Sequence, residues 1–375
     1  MIESVIAAAG MCADGVAEGM YAARHKFSAK AASIGYAIGA VLAFFFQSVT
    51  PITFTVESIT VATRTATERP QILYIVALSA IPSILLGVTG LYSTFVEYLN
   101  DAVIGGIIAG VGIILTGVGA DYIKAKSFVA GSSTLAGVAT YLYTENLVWV
   151  IVTSVIVGTL VHRYVPEKFK LKKGDEKNNK ENNKGNNKED KNEDEQDSFG
   201  LIKFKWKDIV SKPVLLGAFS VFALRTGAVI SYSTVNADIA GQQPALDGVT
   251  LMAGLGSLAS ALLGGPPIET TPAPMAAAPE PVISTVLFMV LMAFITYFGF
   301  VKKAGTIIPL EAISGFLVVL GILVIMPEQL PSVAENPLAG GTALAVTALS
   351  NPFYGILAGE AVAFIMETGI GAIST

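Results

Sequence analysis

The chain alternates between long apolar runs and short polar connections, and its most informative features are the places where a run is broken from within. Stretches 72–95, 102–120, 147–161, 282–300 and 313–326 are the clearest apolar runs, and a bilayer core of roughly 30 Å is crossed by about 20 helical residues. The pattern predicts seven helical segments at 4–22, 31–47, 51–63, 71–95, 101–122, 128–142 and 146–163. Seven more are expected at 213–233, 246–263, 267–279, 281–300, 305–326, 338–349 and 352–371. The third and tenth are short and open on Pro51 and on Pro266-Pro267. Proline cannot continue a helix from the preceding turn, so both are expected to be half-helices.

Composition agrees with a membrane-embedded chain: 53% of residues are hydrophobic and 14% charged, against about 25% charged in soluble domains. The exception is 166–212, a hydrophilic stretch whose centre, 174–197, is almost wholly Asn, Lys, Glu and Asp. Such a segment buries too little to offset its ordering entropy and is expected to be a disordered tether. The expected organisation is a first seven-segment repeat at 1–165, the linker at 166–212 and a second repeat at 213–375. The single cysteine, Cys12, excludes an intrachain disulfide and a cysteine-cluster metal site. His25 and His162 both fall near helix ends, so no metal or other cofactor is expected. No cleavable signal peptide is expected, because 1–23 lacks a basic start and carries Glu3, Asp14 and Glu18. The charge of −5 gives no sign of a nucleic-acid partner. No phosphate-binding GxxxxGK[ST] string occurs, which argues against an ATP-driven pump.

Basic residues fix an orientation. Arg24, Lys26 and Lys30 follow segment one, Arg64 and Arg69 segment three, Lys124 and Lys126 segment five, Arg163 segment seven, and Lys302 and Lys303 segment eleven. The connections on the other side, among them 97–101, 236–247 and 328–336, carry no Lys or Arg. The positive-inside rule then places the linker in the cytoplasm and both termini outside, in a multi-pass protein of the plasma membrane.

The halves also echo each other. Ile38-Gly39-Ala40-Val41-Leu42-Ala43 parallels Leu255-Gly256-Ser257-Leu258-Ala259, and Pro51-Ile52-Thr53 parallels Pro267-Ile268-Glu269. Val103-Ile104-Gly105-Gly106 with Gly112-Ile113-Ile114 matches Ala312-Ile313-Ser314-Gly315 with Gly321-Ile322-Leu323 at equal spacing. Two repeats with an odd number of spans must be inverted relative to each other.

The breaks carry the candidate chemistry. A half-helix starting inside the bilayer presents unpaired N–H groups and its positive end. Thr53, Thr55, Thr270 and Thr271 add hydroxyls, and Glu57 and Glu269 add carboxyls that burial would hold in the neutral, proton-carrying form. A plain kink with the carboxylates snorkelling to an interface is the structural counterpart of that reading. Arg225, at a helix centre, costs roughly 2.5–3.5 kcal/mol on insertion scales and must pair with Glu269 or Glu57 or bind an anion. Asp14 and Glu18 stand one turn apart and either face a cavity as further proton carriers or belong to a weakly inserted amphipathic helix.

The string Leu255-Gly256-Ser257-Leu258-Ala259-Ser260-Ala261-Leu262-Leu263-Gly264-Gly265 leading to Glu269-Thr270-Thr271, the stretch 102–116, and Ile308-Pro309 before Ser314-Gly315 resemble the nucleobase–cation symporter-2 family, the xanthine/uracil permeases, and in particular its hypoxanthine/guanine/adenine branch. The resemblance implies an all-α polytopic fold of fourteen segments in two inverted repeats, with short strands in segments three and ten. Segments 1–4 and 8–11 would form a core that moves against a gate of segments 5–7 and 12–14, often as a homodimer. Two positions depart from the family pattern: segment eight carries Arg225 and no acid, and the acid Glu269 precedes the paired threonines.

The expectation is therefore a permease, not an enzyme, that carries a nucleobase-like molecule with H+ or Na+ across the bilayer. Its substrate groups would be Thr53, Thr55, Arg225, Glu269, Thr270 and Thr271, and its proton groups Glu57, Glu269, Asp14 and Glu18. The alternatives are a sulfate- or bicarbonate-type anion transporter with Arg225 as its site, and a non-transporting receptor or assembly protein.

Overall fold

Backbone broken at membrane depth has to be satisfied by other protein, and the two breaks in this chain satisfy each other. In the computed structural model, which describes residues 1–164, 199–202, 205–305 and 308–368, β1 (Ile52–Phe54) pairs antiparallel with β2 (Ile268–Thr270). Ile52 stands opposite Thr270, Thr53 opposite Glu269 and Phe54 opposite Ile268. When Pro51-Ile52-Thr53 is laid on Pro267-Ile268-Glu269, the central pair joins equivalent residues and the outer pairs interchange. A two-fold axis through the Thr53–Glu269 pair, relating inverted halves, has that signature. All six residues are buried.

The first half runs α1 (Ile2–Arg24), α2 (Ala32–Phe45), β1, α3 (Val56–Thr65), α4 (Arg69–Thr89), α5 (Leu91–Glu97), α6 (Asp101–Ala125), α7 (Ser127–Thr144) and α8 (Leu147–Tyr164). After the short α9 (Trp206–Ile209) come α10 (Lys212–Ala240), α11 (Leu246–Leu262), β2, α12 (Pro281–Tyr297), α13 (Phe300–Gly305), α14 (Leu310–Glu335), α15 (Pro337–Leu349) and α16 (Pro352–Thr368). Local chemistry sets many of the ends. Asn100 accepts the Ala102 N–H at the start of α6, and Pro lies in the first turn of α4 and α10. Gly90 (φ +71°) and Gly241 (φ +63°) end α4 and α10 in the left-handed region, where a side chain would be strained.

Packing repeats the two-fold. The contact of α4 with α11 is mirrored by α2 with α12, that of α10 with α4 by α1 with α12, and that of α7 with α8 by α15 with α16. The α1–α8 contact is likewise mirrored by α10–α16, and α2 crosses α11 near the axis. Small residues permit these approaches. A Cβ on Gly35 would lie 2.5 Å from the Gly256 carbonyl oxygen, and one on Gly112 would lie 2.8 Å from that of Gly321. Gly112 and Gly321 are the residues that the repeat alignment equates, and here they meet. Close approach of backbones is the main source of helix association where lipid is as apolar as the side chains.

The structure departs from several sequence expectations. Segment ten is no half-helix: after β2 only a 3-10 turn, Pro274–Ala277, forms, because Pro272 and Pro274 leave too few N–H donors for an α-turn. The fold is therefore all-helical except for two three-residue strands. Segment four ends at Gly90 and not at residue 95. The polar stretch 328–336, read as a connection, is mostly the amphipathic last part of α14, Met326–Glu335. The middle of α14, Val319–Ile325, is π-helical, with Gly321 inside it. Most of the linker lies outside the described residues, but its end is built. The Gly200 and Ile202 N–H groups donate to the carbonyls of Leu263 (3.1 Å) and Leu262 (3.0 Å) at the end of α11.

Candidate functional site

A guanidinium in an apolar helix needs an acceptor for each donor, and Arg225 has them. The residue is 1% exposed. Its Nε and Nη2 donate to the two oxygens of Glu269 at 2.6 and 2.7 Å, a bidentate pair. Nη1 donates to the Ser79 carbonyl (2.8 Å) and to Ser83 Oγ (3.2 Å), and Nη2 also donates to Ser79 Oγ (3.3 Å). Five N–H bonds thus meet five acceptors. The cluster ties α10 to β2 and to α4, and it leaves the guanidinium no donor for a ligand. Ser79 and Ser83 were not foreseen. Their spacing of four on one helix face was a signal, but nothing in the sequence said which helix that face would meet.

Beside the ion pair lies a cavity of about 400 Å³. Thr55, Glu57 and Ser58 line it from the first break, and Glu269 and Thr270 from the second. Arg225 and Tyr232 on α10 complete this side, facing Ile113, Gly117 and Asp121 of α6 and Asn351 and Pro352 at the start of α16. The cavity therefore sits where the helices around the strands meet those around α6 and α16. Thr55 Oγ1 and Thr270 Oγ1 are buried and have no hydrogen-bond partner. Glu57, in the first turn of the short α3, is exposed and lines the cavity. Among the described residues Arg225 is the one base on the lining, and Glu269 neutralises it.

The other expected site residues stand behind this surface. Thr53 is fully buried and its Oγ1 shares a hydrogen bond with Tyr36 Oη (2.9 Å), which also accepts the Phe54 N–H (3.2 Å). The Thr271 carbonyl accepts from Asn236 Nδ2 (2.9 Å), while Asn236 Oδ1 accepts the Ala273 N–H (2.9 Å). Asn236 thus clamps the second break in place of a helix, a role the sequence reading missed. Asp14 and Glu18 on α1 do not line the cavity. They lie close enough to Glu57 for their charges to interact, and Glu18 lies near the Val56 N–H at the start of α3. A protein carboxylate therefore lies near the positive end of that half-helix. Among the described residues no group of three or more His, Cys, Asp or Glu is arranged to hold a metal ion.

No protein-family model and no curated protein matches the chain. Among solved structures it is similar to the transmembrane domain of a cyanobacterium bicarbonate transporter, BicA, at 16% sequence identity and a TM-score of 0.51, over 96% of this chain and 97% of that one. At that identity the likeness establishes the fold alone, that of a multi-pass membrane protein matching this transmembrane domain. The structure it resembles is a transporter and not an enzyme.

Proposed function

We propose that the chain is a secondary-active permease that carries a small, uncharged, polar molecule of nucleobase type together with protons, by movement of the strand-bearing helices against the α6–α8 and α14–α16 set. The observation that carries this reading is a cavity with two buried, unpaired threonine hydroxyls from opposite breaks and the accessible carboxylate of Glu57 beside them. Thr55 and Thr270 come from opposite breaks, so one flat ligand can bridge the two halves with its carbonyls and ring N–H groups. Glu57 carries the proton. Glu269 is already held on both oxygens by Arg225 and serves as scaffold. An anion in this cavity would have to take Arg225 from Glu269, leaving a buried carboxylate unpaired at a cost of several kcal/mol. That cost is the reason to prefer a neutral substrate, even though the similar solved structure is a bicarbonate transporter.

The test is uptake into proteoliposomes of labelled hypoxanthine, uracil, sulfate and bicarbonate, with and without a pH gradient. Base uptake that rises with an inward proton gradient is expected. Thr55→Val and Thr270→Val should each lower it about tenfold, the loss of one hydrogen bond worth about 1.4 kcal/mol. Sulfate or bicarbonate uptake with no base uptake would overturn the proposal, and no uptake of a broad panel would favour a receptor role. We further propose that the Lys-rich side, with the linker, faces the cytoplasm of a plasma-membrane protein. A cysteine at position 184 in a Cys12→Ser background should stay unlabelled by an impermeant maleimide added to intact cells, and labelling would reverse the orientation.

A further inference from the structure

The wall of the cavity opposite the two strands carries a donor of its own. Thr55, Thr270 and Glu57 supply polar groups on the strand side, and Thr270, 0% exposed, keeps an unpaired Oγ1. On the facing side Ile113, Ile114 and Val118 of α6 are apolar, while the junction of α15 and α16 brings Asn351 to the lining. Pro352 opens α16 without an N–H of its own, and the remaining donors of the first turn need a cap. Asn351 supplies it: Oδ1 accepts the Tyr354 N–H at 3.1 Å, and the carbonyl accepts the Gly355 N–H at 3.1 Å.

The cap decides which way the amide faces. A backbone N–H requires an acceptor, so the oxygen turns to Tyr354 and the NH2 group turns away from it. Among the described residues no acceptor meets Asn351 Nδ2, and the residue is half-buried on the cavity. Its depth is set by α10. A Cβ on Gly227 would lie 2.6 Å from the Phe353 nitrogen and 2.6 Å from Pro352 Cβ, so the bare residue lets the start of α16 dock there. Gly227 follows Arg225 by about 3 Å along the helix axis, which brings the junction near the level of the ion pair. The two-fold provides a counterpart: Asn146 caps α8, its Oδ1 accepting the Val148 N–H at 2.9 Å, and Ile151 meets Gly10 of α1. Asn146 is not among the described residues that line the cavity, so the same cap occurs once with the cavity and once without it.

A buried hydroxyl without a partner on one wall and an amide donor without one on the other leave two polar points for a single ligand to join. We propose that Asn351 determines specificity: its Nδ2 donates to a ring nitrogen on the edge of the ligand that faces away from Thr55 and Thr270. This inference rests on the reading of the cavity as a site for nucleobase-type molecules, and it adds a requirement to that reading. A flat heterocycle with hydrogen-bonding atoms on two opposite edges is accepted, and one whose far edge carries only C–H is discriminated against, because the amide is then left unpaired. The contact also ties the strand-bearing helices to the α14–α16 set through the ligand.

The experiment is calorimetric titration of the purified full chain in detergent with hypoxanthine, 3-deazahypoxanthine and 7-deazahypoxanthine, each analogue having one ring nitrogen replaced by C–H. One of the two analogues should bind the parent about tenfold more weakly than hypoxanthine, the loss of one hydrogen bond. Asn351→Ser keeps a capping oxygen and loses the amide donor. It should bind hypoxanthine about tenfold more weakly than the parent does, and should no longer distinguish hypoxanthine from that analogue. Asn351→Asp, which keeps the shape and the cap but has no donor when ionised, should show the same loss and decides the matter if the serine variant does not fold. Asn146→Ser, the same change at the cap away from the cavity, should bind as the parent does. Hypoxanthine binding left intact by Asn351→Ser, or an analogue penalty that persists in it, would overturn this inference alone. So would equal binding of all three compounds to the parent. No binding of hypoxanthine to the parent would overturn the nucleobase reading, and this inference with it.

Discussion

Arg225→Met should lower stability by about 3–5 kcal/mol, whereas Arg225→Met combined with Glu269→Leu should recover most of that loss. The asymmetry follows from the geometry. Removing the guanidinium alone leaves Glu269, 2% exposed, without either of its bidentate donors, and strands the Ser79 carbonyl and the Ser83 hydroxyl that Nη1 had satisfied. A buried ion deprived of its partner costs far more than the pair contributes, because the desolvation of the second charge is no longer offset. Removing both charges replaces the problem with apolar surface in an apolar protein. Thermal unfolding of the purified chain in detergent checks this: the single variant should melt well below the parent and the double variant close to it. Equal losses in the two would show that the pair is not energetically coupled. No loss in the single would mean that the guanidinium is not held as described.

The ion pair also shows how far the sequence could be read. A lone arginine in an apolar run announces that it needs partners, and Glu269 was one of two acids within reach of the argument. The strand register was foreshadowed by proline, since Pro51 and Pro267 mark equivalent positions and Thr53 and Glu269 follow each at the same distance. The shared spacing of Gly106 with Gly112 and of Gly315 with Gly321 marked the residues that later proved to let backbones touch. What stayed hidden was long-range choice. Serines such as Ser79 and Ser83 are common in membrane helices and ordinarily bond to their own preceding turn, so nothing local singles out the two that hold a guanidinium. Asn236 was hidden for the same reason: it lies on α10 and replaces the missing helix thirty-five residues further on. The end of α4 at Gly90, by contrast, was open to reading, and the apolar run through residue 95 obscured it. In 328–336 polarity suggested a connection, but Glu, Gln and Ser on one face of an amphipathic helix at a membrane interface look the same in sequence.

Glu57→Gln should leave a folded protein that still exchanges substrate across the membrane but no longer accumulates it against a gradient. Of the cavity's carboxylates, Glu269 is held by Arg225 and Asp121 pairs with Lys124, while Glu57 sits at the start of α3, beside Thr55 and near the two acids of α1. Glutamine keeps the shape and hydrogen-bonding reach of a protonated glutamate but cannot release a proton, so the step that binds substrate survives while the step that couples it to the gradient does not. The expected signature is a split between two assays. Counterflow of labelled base into liposomes preloaded with unlabelled base should stay within about threefold of the parent, a change below 1 kcal/mol. Uptake driven by an inward proton gradient should fall to the level without a gradient, at every external pH. Asp14→Asn and Glu18→Gln supply the control: both acids interact with Glu57 but do not line the cavity, so each should shift the pH at which driven uptake is half-maximal without abolishing it. If Glu57→Gln still accumulates substrate and Glu18→Gln does not, the proton carrier lies on α1. If both accumulate, transport on this fold is driven by something other than the carboxylates around the first break.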